Sequence, residues 1–210
     1  MLNKIFNLEN GFFKFIGILT DVFAFSILWL LCAVTVVGLG PGTTALYDAM
    51  ARCLRKKQPG GYVRFWESLK SNFKVACPAG LIVAAAGYGM VKLHGFLYAG
   101  AGAGDRTMFM LYVAYWIFFV VVCGVAAYLF PVLSRFTFGV GGLLAAGVNL
   151  ALANPLITLA LGLLTGGGIL VCVLWWYWMP WLVAPYLWAL LASLLLERVF
   201  KPFMEGQGKE

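Results

Sequence analysis

Long uncharged runs alternate with short polar stretches along the chain. Five runs are extended and apolar enough to cross a hydrocarbon core, which takes about 20 helical residues. They are Val22 to Gly40, Val75 to Val91, Met108 to Leu133, Leu156 to Trp175 and Trp181 to Leu196. None contains an internal Asp, Glu, Lys, Arg or His. The runs lack the apolar–polar alternation of barrel strands, and only a helix satisfies its own backbone groups in lipid. The expected fold is all-α, a single polytopic transmembrane bundle of about five spans.

After the first run the pattern changes. Pro41 and Gly42 break it, and Thr43 or Thr44 can cap a new helix. Leu46, Met50, Cys53 and Leu54 then recur at helical spacing, with Asp48, Arg52, Arg55 and Lys56 on much of the remaining face. Asp48 and Arg52 form an i,i+4 pair worth only about a few tenths of a kcal/mol. Gln58 to Gly61 make a turn. In the stretch that follows, Tyr62, Phe65, Trp66, Leu69 and Phe73 are apolar, and Arg64, Glu67, Lys70 and Lys74 polar. Residues 43–74 thus read as an amphipathic helical hairpin outside the membrane. The glycine-rich stretch Phe138 to Asn154 reads as an interfacial helix, because Asn149 and Asn154 argue against a full span.

Composition agrees with lipid as the solvent. Of 210 residues, 63% are hydrophobic and 11% charged, against about half and a quarter in soluble domains. The mean hydropathy is +0.92. A net charge of +7 suggests nucleic acid in a soluble protein; here its placement matters more, and no nucleic-acid partner is expected. Seven of the 15 Lys and Arg residues, namely Arg52, Arg55, Lys56, Lys57, Arg64, Lys70 and Lys74, lie between the first two expected spans. The positive-inside rule makes that segment cytoplasmic, so the N-terminus is expected outside and the C-terminus inside, although Lys4 and Lys14 oppose this. A separate dip of Gly11 to Thr20 into the bilayer would make the number of spans even. No small-residue cleavage site follows a short apolar run near the start, so the first segment is expected to be retained.

Candidate chemistry is sparse. Cys32, Cys53, Cys77, Cys123 and Cys172 show no paired spacing, and with His94 as the one histidine they make no recognisable metal motif. Neither a metal nor a cofactor is expected, and His94 reads as a polar loop residue. Asp21, just ahead of the first span, either pairs with a neighbouring subunit or a polar ligand near the interface, or is a membrane-edge residue or local helix cap. The run Trp175-Trp176-Tyr177-Trp178-Met179-Pro180-Trp181 holds five aromatics in seven positions; it reads as an interfacial belt rather than a sugar-stacking surface. Gly162 and Gly166, and Ala76, Gly80 and Ala84, have the spacing of close helix contacts. The hairpin's charges either attract anionic lipid, about 1 kcal/mol each near the surface, or dock a protein. The residues for docking are Asp48, Arg52, Arg55, Tyr62, Phe65 and Trp66. Without a nucleophile–base pair or a metal cluster, no enzyme is expected.

The segments Leu28-Trp29-Leu30-Leu31-Cys32, Gly38, Gly40-Pro41-Gly42-Thr43-Thr44-Ala45-Leu46-Tyr47, Tyr62, Phe65 and Lys70-Ser71-Asn72-Phe73-Lys74 resemble the YesL family of bacterial membrane proteins, which is defined by a domain of unknown function. Phe130-Pro131-Val132-Leu133-Ser134-Arg135-Phe136 is similar to it as well. Genes of this family commonly lie beside those of carbohydrate ABC importers, chiefly in Gram-positive bacteria. The resemblance implies a bacterial cell-membrane protein that is an accessory subunit of such an importer, with its permease and ATPase subunits as partners. It supplies no catalytic residues. A stand-alone transporter or channel for an uncharged solute, and a membrane sensor or assembly factor, are the alternatives.

Overall fold

The computed structural model describes the backbone over residues 11–54, 60–174 and 180–206, and the side chains over 17, 19–52, 60–174 and 180–203. Seven α-helices occur among the described residues: α1 (Gly11–Val34), α2 (Leu39–Ala49), α3 (Gly61–Gly102), α4 (Arg106–Leu133), α5 (Val140–Ala153), α6 (Pro155–Leu174) and α7 (Ala184–Gly206). A π-helical turn, Met50–Leu54, follows α2, and a 3-10 turn, Pro180–Leu182, precedes α7. The fold is the expected helical membrane bundle. α3, α4 and α6 are long and apolar enough to cross a membrane; Leu19–Val34 and α5 are shorter apolar helices. The last expected span, Trp181 to Leu196, begins in the 3-10 turn and is helical from Ala184 in α7, which continues into Glu197, Arg198 and Lys201.

The first expected span ends early. α1 stops at Val34, and the turn through Gly38 is closed by Thr35, whose Oγ1 donates to the Cys32 carbonyl at 2.7 Å and accepts from the Gly38 N–H at 3.0 Å. Val36 sits there at φ 58°, a left-handed conformation that is strained for a β-branched residue. Gly40, Pro41 and Gly42 therefore belong to α2 instead of breaking α1. Pro41 falls in the first turn, where a helix has no use for the missing N–H. Nor do the threonines cap: Thr43 and Thr44 donate back to the carbonyls of Leu39 and Gly40, at 2.7 and 3.1 Å.

α1 and α2 run antiparallel. Trp29 Nε1 donates to Thr43 Oγ1 at 3.0 Å, and a Cβ on Gly42 would meet Cys32 at 2.7 Å. Asp21 and Asp48 thus lie toward the same end of the pair. The chain leaves α2 at the end where it entered α1, whereas a first span running to Gly40 would have left it at the other.

The expected amphipathic hairpin is also reorganised. α2 does not lie on a surface: Gly40 through Ala49 are all buried. The second arm is no separate helix but the first part of α3, whose 42 residues extend roughly 63 Å at 1.5 Å each. That is twice the hydrocarbon thickness of about 30 Å, so the polar first turns project from the apolar portion. At its other end α3 runs on to Gly102, leaving Ala103 to Asp105 as the link to α4. Asp105 caps α4, accepting from the N–H groups of Thr107 and Met108 at 2.8 and 3.2 Å. α5 occupies the expected interfacial stretch. Asn154 ends it and Pro155 opens α6, since the residue before a proline disfavours helix.

Small residues set the crossings. A Cβ on Gly40 would strike the Ala76 carbonyl, and one on Gly80 would meet the Gly40 backbone at 2.8 Å. Between α4 and α6, Gly124 faces the Thr158 carbonyl and Gly162 the Val120 carbonyl at similarly close range. Such approach replaces the missing hydrophobic drive between helices in lipid with dispersion contact. Both spaced motifs in α3 and α6 lie at these crossings.

Candidate functional site

Charge converges on the end of the bundle where α2 meets α3. Asp48, in the last turn of α2, is buried, and its carboxylate accepts from three arginines. Arg52 Nε donates to Oδ1 at 2.6 Å, Arg64 Nε to Oδ2 at 3.0 Å and an Arg135 terminal nitrogen to Oδ1 at 3.2 Å. Arg135, just past the end of α4, also reaches Glu197 of α7 through Nε and a second terminal nitrogen, at 3.0 and 2.7 Å. Its guanidinium lies 5.9 Å from the centre of the Tyr47 ring, within cation–π range. Arg64 approaches Glu67 at 3.7 Å.

The members differ in access. The side chains of Arg135 and Asp48 are 4% and 5% exposed, those of Arg52 and Arg64 32% and 39%. Taking a carboxylate and a guanidinium out of water costs several kcal/mol each unless they meet good partners. Here every buried charge has an opposite one in hydrogen-bond contact, so the network ties α2, α3, α4 and α7 together. It also holds two partly exposed guanidinium groups on one carboxylate.

The expected docking residues are therefore divided. Asp48 and Phe65 are buried and face their own chain. Asp48 is the hub of an inter-helix network, not a member of a weak surface pair. Arg52 and Trp66 keep exposed surface. Arg55 lies outside the described residues. Tyr62 is committed internally: its hydroxyl donates to Asp21 at 2.9 Å, and its ring stacks on Phe25 with centroids 4.7 Å apart. Burial, and then the Asp21 carboxylate, push the Tyr62 phenol up to about 12, so it stays a donor. Asp21 thus contacts α3. Glu197 was not among the expected site residues; the available signal was a carboxylate directly abutting the apolar Leu194-Leu195-Leu196.

His94 does not sit in a loop. It lies within α3, with Nε2 3.2 Å from the Tyr112 hydroxyl of α4, stacked on Tyr98 and edge-on to Trp116 at 5.7 Å. Of the aromatic run, Trp175 to Met179 lie outside the described residues, while Pro180 and Trp181 form the 3-10 turn. Cys32, Cys77, Cys123 and Cys172 carry free thiols.

An open groove of about 300 Å³ lies between α1, α2 and α3. Leu28, Leu31, Cys32, Trp66, Leu69 and Phe73 provide most of its wall, and Pro41 of α2 also lines it.

Apolar helices long enough to cross a bilayer, packed through glycines and pinned by charge at one end, define an α-helical membrane protein. Residues 22–91 match the family described as "Protein of unknown function, DUF624". That stretch covers α3 as far as Val91, every residue lining the groove, and Asp48, Arg52 and Arg64, but not Asp21, Arg135 or Glu197. No curated protein and no solved structure matches the chain.

Proposed function

We propose that this chain is a non-enzymatic membrane subunit that attaches to the permease subunits of a carbohydrate ABC importer. One observation carries the reading: the Asp48–Arg135–Glu197 core joins α2, the end of α4 and α7, and leaves Arg52 and Arg64 about one-third exposed on a rigid mount. Ordered cations at a bundle end suit docking of a partner with acidic surface, because little side-chain entropy is left to lose on binding. The sugar importer itself is suggested by the resemblance of the Gly40 to Tyr47 and Lys70 to Lys74 segments to the YesL family.

In this reading the basic end faces the cytoplasm, where an importer's ATPase docks. The antiparallel α1–α2 pair supports a cytoplasmic N-terminus as well, in place of the external one expected from five spans. Lys4 and Lys14 then obey the positive-inside rule instead of opposing it. α3, α4, α6 and the apolar part of α7 make four crossings, and the C-terminus is cytoplasmic.

Affinity purification of the tagged chain from its native membranes in mild detergent tests the association. Permease and ATPase peptides are expected to co-purify in constant ratio. Their consistent absence, with the tagged chain intact, overturns the proposal.

A further inference from the structure

We propose that the groove between α1, α2 and α3 holds one acyl chain of an anionic glycerophospholipid, with the headgroup phosphate on Lys70 and Lys74. The site goes beyond the importer association and does not depend on it.

The groove is lined by apolar residues apart from Thr35, whose hydroxyl is bonded within its own turn, and it continues into an uncharged strip, with Leu31, Val34, Val36 and Val37 all exposed. Such a strip belongs against lipid tails. On α3 the lining residues Trp66, Leu69 and Phe73 follow i, i+3, i+7 spacing, which aligns them in one stripe. Lys70 and Lys74 each come one residue after a member of that stripe, and so stand along its edge. Both are exposed, and neither makes an ion pair among the described residues. Their stems can lie along the apolar wall while the ammonium groups reach a phosphate. Trp66 is about half exposed and packs edge-on to Phe65 at 5.9 Å. An indole there suits headgroup level, having an apolar body and one N–H donor.

Size selects a lipid chain over a protein helix. A helix about 10 Å across would exhaust 300 Å³ within less than one turn of roughly 5.4 Å. An extended hydrocarbon chain is thin enough to lie along it. Glu67 follows Trp66 and so stands on the same edge, but it lies 3.7 Å from Arg64; Lys70 and Lys74 leave the flank net positive, which selects an anionic headgroup over a zwitterionic one.

The test uses the full chain in vesicles containing phosphatidylglycerol or phosphatidylcholine with brominated acyl chains. The readout is the part of the tryptophan quenching that Trp66→Phe removes. Phosphatidylglycerol is expected to quench Trp66 more strongly at equal mole fraction, the preference falling about fivefold for each lysine lost in Lys70→Gln and Lys74→Gln at low salt. High salt should shrink the preference in the native chain. Native mass spectrometry gives a readout independent of Trp66: the native chain retains phosphatidylglycerol and the Lys70→Gln/Lys74→Gln variant loses it. Equal quenching by the two lipids, no quenching assignable to Trp66, or a preference that survives loss of both lysines overturns the site.

Discussion

Arg135 reaches Asp48 across 87 positions of the chain at 3.2 Å, while its other nitrogens hold Glu197. One guanidinium thereby bridges two carboxylates from helices that are remote in sequence. Replacing it with Met should leave both carboxylates buried without it, costing roughly 3–5 kcal/mol. A matched triple variant, Arg135→Met with Asp48→Leu and Glu197→Met, should regain most of that loss, because no buried charge is left unpaired and Arg52 and Arg64, which lose Asp48, are open to water. Unfolding in detergent checks both; a triple variant no better than the single one contradicts the account.

Gly40 and Gly80 make α2 and α3 approach at backbone distance. Gly40→Ala should push the helices apart and destabilise by about 1–3 kcal/mol, the usual cost of overpacking. Gly87→Ala provides the control, since nothing lies within 4 Å of its added Cβ and alanine is the better helix former. Thermal stability of the two variants should move in opposite directions.

Tyr62→Phe removes the hydroxyl that bonds Asp21, at an expected cost of at most about 1 kcal/mol in this exposed position. The phenol's pKa is raised from 10.0 to about 12 in the fold, so the folded state favours the protonated form. That contribution is complete below the ordinary value and disappears as pH climbs through the raised one. The stability difference between native chain and variant should therefore be constant at neutral pH and vanish in strong alkali. A difference that persists there would mean the ring, not the hydroxyl, is responsible.

Topology can be read by labelling. In a background without native cysteines, Gly17→Cys and Lys57→Cys should both be shielded from a membrane-impermeant maleimide in intact cells, while Gly104→Cys reacts. Labelling at position 17 from outside would restore the five-span order and a crossing by α1.

Much of the architecture was legible along the chain. The helices, the membrane environment and the small residues at the crossings follow from composition and spacing, which are local properties. The break after the first run was misplaced because Pro41 looks like a helix breaker, yet in a first turn it costs nothing. Asp48 was read as a solvated i,i+4 partner of Arg52, since periodicity reports which face a residue occupies and not what covers that face. Its burial comes from α3, α4 and α7. Glu197 drew no attention because its partner lies 62 residues away.

By itself, the order of residues determined that this protein is helical, that it lives in lipid and that its positive charge gathers at one segment, because hydropathy and backbone satisfaction are decided within each run. Only the tertiary structure decided that α1 and α2 turn back to the same end, and that two carboxylates and three arginines meet there. Those outcomes rest on contacts between distant segments, and the energy of a buried charge depends on the partner that arrives, which no local pattern specifies.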